Sequence, residues 1–451
     1  MRPDESFNKG ILSCQFMFIC FGFFQGNFAT QIIYQLFQGR LDGYAKTANY
    51  LQPILLTAGS IMGAILLMFG RRRCALLADI PIAVMGILTL FMDSATLFIA
   101  RMVNDFVRGA LLIIYLVYFK EMMPKRYAGL TICLMLFVSI FCLGVLTLIE
   151  LVLDLAGISL DDLDSKSTLI ARGIVFAGIL MCELHFSAAL FVLQGESPRY
   201  LMEAQRKGEA YAIISLIYKN KDSAKDEMDF IQEASEYRQY KTISWSTLWS
   251  SKGRKALLIC CALMFLRYAT GNLAFWSFLK VDTTEGVSIL LAIYFANCIA
   301  ALLAGIFFNR LNIRTCILCG LAFNAVVNAL GLIFGSFSAD PGTSNYYLAV
   351  LFTAMSSVCS NFTISPISFL LTVQLLPDKG IALSVVFTWI SMFLILVPYS
   401  LKNPEINQYL YMQPVYICAS VLGLVLCYFY IKSSKGSSET ELKKTYIESE
   451  N

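Results

Sequence analysis

The sequence predicts an all-α membrane protein of twelve transmembrane helices in two six-helix halves. Three observations carry that expectation. The 451 residues are 57% hydrophobic and only 15% charged, too few ions to clothe a soluble domain of this length. The apolar residues come in runs of about 20, enough to cross a hydrocarbon core roughly 30 Å thick, and such spans must be helical because lipid offers the backbone no hydrogen-bonding partner. One long polar stretch, 195–254, divides the runs six and six.

Taken in order, the spans fall at 10–32, 48–69, 74–94, 97–119, 128–153 and 171–193, then at 255–279, 286–308, 314–336, 346–373, 380–400 and 410–431. The polar head Met1–Lys9 runs straight into a segment of full spanning length, which reads as an uncleaved first helix rather than a signal peptide. The stretch 195–254 contains EAYAIISLIY and DEMDFIQEASEY, patterns of short amphipathic helices lying at a membrane surface. The expected division is a first half over 1–194, a helical linker over 195–254, a second half over 255–432 and a polar, disordered tail over 433–451.

Basic loops orient the chain. Arg71, Arg72 and Arg73 follow span two, Lys120, Lys125 and Arg126 follow span four, and Arg310 and Arg314 follow span eight. The loop after span five instead carries Glu150, Asp154, Asp161, Asp162 and Asp164. The positive-inside rule then places both termini and the linker in the cytoplasm, with the plasma membrane as the default host. The 14 cysteines are scattered through apolar segments as packing residues; Cys316-x-x-Cys319 has no second pair with which to hold zinc. His185 is the only histidine, so a histidine-rich metal site is excluded, and no cofactor or nucleic-acid partner is expected.

The halves echo one another. Gly70-Arg71-Arg72 after span two answers Asn309-Arg310-Leu311-Asn312-Ile313-Arg314 after span eight, and Glu121-x-x-Pro124 with Gly129 answers Gln374-x-x-Pro377 with Gly380. Parallel six-helix repeats mark a transporter architecture with its site between the halves near mid-bilayer.

The segment after span six, Gly195-Glu196-Ser197-Pro198-Arg199-Tyr200-Leu201, resembles the P-E-S-P-R-(W/F/Y)-L motif of the sugar porter family, within the major facilitator superfamily. Gly70-Arg71-Arg72 is similar to the family's D-x-x-G-R-R, with Leu67 at the aspartate; Tyr118-x-x-Glu121-x-x-Pro124 fits Y-x-x-E-x-x-P; Thr270-Gly271, Ser365-Pro366, Phe369 and Trp389 match further positions. The resemblance covers essentially the whole chain and implies the major facilitator fold. It also implies that Arg71, Arg72, Glu121, Glu196 and Arg199, with Arg126 nearby and Arg310 and Arg314 in the second half, form a cytoplasmic gate that closes in the outward-open state and parts in the inward-open one; simple positive-inside anchoring is the alternative. Because Asn309 and Gln374 stand where the family has acids, the second half's share of that network is expected to be thin.

The substrate positions depart further. The family's glutamine pair in span seven is Arg267 and Tyr268, its span-five glutamine is Val138, and its span-seven asparagine is Leu273, beside Asn272. What remains for solute binding is Asn27, Arg267, Tyr268, Asn272, Asn297, Asn361, Phe369 and Trp389. The segment Gly26-Asn27-Phe28-Ala29-Thr30 lacks the carboxylate that proton-coupled members carry, which points to uniport.

Ionisable groups at membrane depth normally face the bundle interior. Arg101, Asp105 and Arg108 are spaced to share one helix face as a mutually satisfied ladder. Glu183 is a proton site or a packing carboxyl, and points away from His185. Arg267 attracts an anionic substrate, pairs with an acid such as Glu183, or snorkels. The leading expectation is thus a monomeric carrier of a small sugar or polyol working by alternating access. An organic-ion carrier and a non-transporting sensor are the alternatives. No nucleophile with its base, metal cluster or phosphate loop suggests an enzyme.

Overall fold

A computed structural model of the chain describes residues 8–37, 39–41, 43–123, 127–160, 165–191, 195–218, 220–240, 249, 251–272, 284–307, 312–337, 343–401 and 408–431. Of the residues singled out above, Pro124, Lys125, Arg126, Asp161, Asp162, Asp164, Leu273, Asn309, Arg310 and Leu311, with residues 1–7 of the head and the tail 433–451, lie outside the described residues.

The first half comprises α1 (Lys9–Gln35), α2 (Tyr44–Leu66), α3 (Arg71–Thr89), α4 (Ser94–Met122), α5 (Ala128–Leu155) and α6 (Ser165–Phe191). The linker folds into α7 (Pro198–Glu203), α8 (Lys207–Ile217) and α9 (Lys221–Tyr240). The second half comprises α10 (Ser251–Ala269), α11 (Thr284–Phe307), α12 (Ile313–Phe337), a span divided into α13 (Ser344–Phe362) and α14 (Ile364–Leu375), then α15 (Asp378–Leu401) and α16 (Gln408–Tyr430). The expected continuous span 346–373 is therefore two helices meeting at Thr363. Pro366 is the cause: lacking an N–H, and with its ring against the carbonyl four residues back, it fits only the first turn of a new helix.

The expected amphipathic linker is present. Helix α8 buries Ala210, Ile213, Ile214 and Ile217, a stripe at helical spacing, and the carbonyl of Ile217 accepts from the backbone N–H of Asn8 at the entry to α1 (2.8 Å).

Among the described residues, nine helical segments are long and apolar enough to cross a membrane. The spans α3, α4 and α10 are not among them, and these three carry Asp79, the Arg101–Asp105–Arg108 series and Arg267. Helix α4 resolves the conflict by being central. Its run Gly109–Phe119 is buried on every side, the mark of a helix walled in by other helices rather than lipid.

The halves meet along two seams, α2 against α15 and α5 against α11. Within the first half, α2 crosses α4 at unusually short range. A Cβ on Gly59 would lie 1.9 Å from the Phe106 carbonyl oxygen, and one on Gly109 would lie 2.3 Å from that of Leu56. Gly59-x-x-x-Gly63 faces Gly109-Ala110 here, small residues letting two backbones touch where no hydrophobic force draws helices together in lipid. Ser60 lies in this crossing. Its hydroxyl donates to the carbonyls of Leu56 (2.8 Å) or Gly109 (3.2 Å) and accepts from the indole N–H of Trp389 on α15 (2.9 Å).

Candidate functional site

Between the halves lies a partly open cavity lined from both sides. Asn27, Arg108 and Ser139 reach it from the first half, and Arg267, Tyr268, Phe369 and Trp389 from the second. The rest of its wall is aliphatic or aromatic, including Phe23, Leu112 and Met135. Neutral hydrogen-bonding capacity is partly spent: the Asn27 amide donates to the Phe23 carbonyl (2.7 Å) and the Trp389 indole to Ser60.

Five of the eight predicted solute residues, Asn27, Arg267, Tyr268, Phe369 and Trp389, thus share one cavity. Asn272, Asn297 and Asn361 do not line it with them. They are buried and knit together instead: the Asn361 amide donates to Oδ1 of Asn297 (2.8 Å) and of Asn272 (3.2 Å), and the Ser357 hydroxyl lies 3.1 Å and 3.2 Å from the oxygens of Asn272 and Asn297.

Charge in the cavity is one-sided. The expected three-residue ladder holds for two members only: Arg101 lies 3.9 Å from Asp105, whose other oxygen accepts from Gln52 (3.3 Å). Arg108, one turn on, lines the cavity and makes no ion pair within 4 Å among the described residues, yet stands near enough for its charge to act on Asp105. Arg267 lines the same cavity from the second half. Its guanidinium sits over the rings of Phe369 (4.6 Å) and Tyr268 (5.1 Å), and its buried Nε has no hydrogen-bond partner. Glu183, weighed as its counter-ion, is exposed on α6. Each cation–π contact contributes about 0.5–2 kcal/mol, less than the several kcal/mol that removing an ion from water costs. Among the described residues no carboxylate lines this cavity.

At the end of the bundle bearing the basic loops, Arg71 ties the halves together. It holds Glu121 on two bonds, Nε to Oε2 (2.8 Å) and Nη2 to Oε1 (2.9 Å), and reaches Asp378 on α15 (3.2 Å) and Glu203 on α7 (3.8 Å). Burial alone would pull the Arg71 guanidinium down, but the carboxylates of Glu121, Asp378 and Glu203 outweigh it and hold it above its ordinary range. Lys120 makes a second link between the halves, donating to the Leu376 carbonyl (2.8 Å). Glu196 serves differently from the expected ion pair. Its carboxylate accepts from the backbone N–H groups of Arg71 (2.8 Å), Arg72 (2.8 Å) and Arg73 (3.3 Å), neutralising the exposed donors and the dipole at the start of α3. Gly70, at φ +110°, is the turn that admits it; a Cβ there would lie 2.7 Å from Glu196 Oε2. Ser197 both caps α7 and donates to Glu121. Arg199 is half-buried on α7, and Arg314 packs on Tyr428 and donates to its carbonyl (2.8 Å).

Two participants escaped sequence reasoning. Asp378 directly follows the Gln374-x-x-Pro377 that was matched, so the second half does contribute an acid to this network. Asp79, a lone acid in an apolar run, accepts from Gln25 (2.6 Å) and pairs with His185 Nδ1 (2.7 Å), while Phe18 stacks on the imidazole (4.4 Å between centroids). Its isolation at membrane depth was the signal available.

Residues 11–446 match the family model described as "Sugar (and other) transporter". Two relatives from Saccharomyces cerevisiae, the hexose transporters HXT13 and HXT17, are each 24% identical, over 59% and 57% of this chain. The matches cover 51% and 49% of those proteins, so the chain spans about half the length of the curated relatives it matches. Among solved structures, the major facilitator superfamily proton:xylose symporter XylE bound to 6-bromo-6-deoxy-D-glucose superposes with a TM-score of 0.77 at 16% identity, covering 97% of this chain and 99% of that one. The inward-open xylose transporter XylE from E. coli, with the same identity and coverage, gives 0.64. At such identity the likeness establishes the fold.

Proposed function

Since the chain belongs to the sugar (and other) transporter family and has the major facilitator fold of a transporter rather than an enzyme, we propose that it carries a small organic solute of sugar or polyol type across the membrane by alternating access. The observation that carries this reading is the pairing of a closed end with a central cavity. Arg71 spans from Glu121 in one half to Asp378 in the other, below a cavity that both halves line. Parting the halves at that end, while the seams at α2/α15 and α5/α11 rock, exposes the cavity to the opposite side.

The basic loops support a cytoplasmic placement of the Arg71 end, of both termini and of the linker; the same proposal takes the plasma membrane as host and a monomer as the working unit. The same reading keeps the division into halves at 1–194 and 255–432, joined by 195–254. The segment Gly26–Thr30, whose Asn27 lines the cavity, holds no carboxylate where the proton-coupled members carry one, which supports uniport.

Uptake into proteoliposomes tests the reading. Labelled D-glucose, D-xylose, D-mannitol and acidic sugars are offered with and without an inward proton gradient, the membrane potential clamped at zero. The expected result is saturable equilibration of at least one solute, unaffected by the gradient. Accumulation driven by protons overturns uniport, and no solute-specific flux overturns the carrier.

A further inference from the structure

We propose that the solute taken by the central cavity carries a carboxylate, whose negative charge is bound by Arg267 and Arg108. The inference rests on the carrier reading and narrows its substrate class. Three observations converge on it. Two guanidinium groups from opposite halves face one cavity, Arg108 from α4 and Arg267 from α10. Neither has an ion pair within 4 Å among the described residues, and Arg267, whose Nε is buried without a hydrogen-bond partner, lines the cavity. No described residue of the wall is acidic.

The rest of the wall fits the same class. A hexose presents hydroxyls on every side, and sites for such ligands must satisfy them. Here the Trp389 indole already donates within the protein and Asn27 spends one of its two N–H groups on the Phe23 carbonyl, leaving the rest of the Asn27 amide with Ser139 and Tyr268 among largely apolar neighbours. A small body with one carboxylate uses what the cavity offers: a planar charge fork at one end and the rings of Tyr268, Phe369 and Trp389 along its length. The arrangement also gives the anion a part in the transport cycle. Because the two cations come from different halves, a bound carboxylate bridges them, favouring the state in which the halves close on it.

The test uses the full chain in liposomes and three probes: D-glucuronate, benzoate and D-glucose. Binding is followed by tryptophan fluorescence, since Trp389 lies in the wall, and transport by uptake at imposed membrane potential. A carboxylate solute is expected to bind at least tenfold more tightly than D-glucose. As a monoanion moved by uniport it should accumulate about 50-fold more per 100 mV of inside-positive potential, whereas a neutral sugar does not respond. Arg267→Gln should remove the preference, and Arg267→Lys, which keeps the charge but not the planar fork, should retain only part of it. Benzoate binding without glucuronate binding upholds the inference and overturns the sugar-type reading. Glucose binding as well as glucuronate, with Arg267→Gln unchanged, overturns the inference and leaves the carrier intact. Binding of none of the three by protein that unfolds cooperatively overturns both.

Discussion

Replacing Asp378 by asparagine should loosen the closed end of the bundle without disturbing either half. The ion pair it removes, Arg71 Nη2 to Asp378 Oδ2, is 3.2 Å long, with the aspartate side chain 22% exposed and the arginine 3%. At an effective dielectric of about 20 the bare attraction is about 5 kcal/mol. Most of that is cancelled by desolvation of the two ions, and asparagine still offers an oxygen to the guanidinium. Arg71 is not orphaned, because Glu121 keeps it on two bonds. The net loss is therefore about 1–2 kcal/mol, which shifts the ratio of open to closed molecules about 5- to 30-fold. Spin labels at the exposed Arg73 and Thr315, which begin α3 and α12 at this end, read that ratio by pulsed dipolar spectroscopy, in a background lacking the exposed Cys14, Cys319 and Cys418. The long-distance population should rise by that factor in Asp378→Asn and stay near wild type in Asp378→Glu. A change smaller than twofold in Asp378→Asn refutes the assignment of this contact as a latch.

Substitutions at four further positions follow from the packing. Glu196→Ala strips the acceptor from the first three N–H groups of α3 and should cost about 2 kcal/mol, seen as a lower thermal midpoint in detergent; Glu196→Gln should recover part of it. Gly59→Ala forces a methyl to within 1.9 Å of the Phe106 carbonyl and should cost about 3 kcal/mol or prevent folding. Gly173→Ala on α6, where a Cβ meets nothing within 4 Å, should leave the midpoint level or slightly higher. Asp79→Ala leaves Gln25 and His185 without their shared acceptor and should lower stability by about 3–5 kcal/mol, measured by the same melt.

The spanning helices were legible because lipid imposes one rule on every segment, a long apolar run with its backbone bonded internally. The break at Thr363 was less so: Pro366 was noticed as a motif letter, while its effect depends on the register of the helix it starts. The site divided along a similar line. Arg71 and Glu121 were found because the segments after spans two and four resemble the family's motifs, and the resemblance implies that the two pair at one end of the bundle. Asp378 was passed over because it stands one residue beyond the matched Pro377. The asparagines show the reverse failure. Asn272, Asn297 and Asn361 have the right chemistry for a hydroxylated solute, but side-chain amides bond to one another as readily as to a ligand, and only the rotation of α11 and α13 decides which. Arg108 belongs here too. Spacing put it on a face with Arg101 and Asp105, yet one further turn of α4 carries it past the acid and into the cavity.

The bond from Trp389 to Ser60 has a mechanical meaning. Ser60 lies where α2 and α4 touch backbone to backbone, the place in the first half least able to yield, and the indole that grips it belongs to a helix of the second half. A grip at such a place works as a fulcrum. On the alternating-access reading proposed above, release of Arg71 by Asp378 at one end of α15 would swing the helix as a lever about this bearing instead of sliding the whole seam. Trp389 also faces the cavity, so whatever occupies that space leans on the bearing itself.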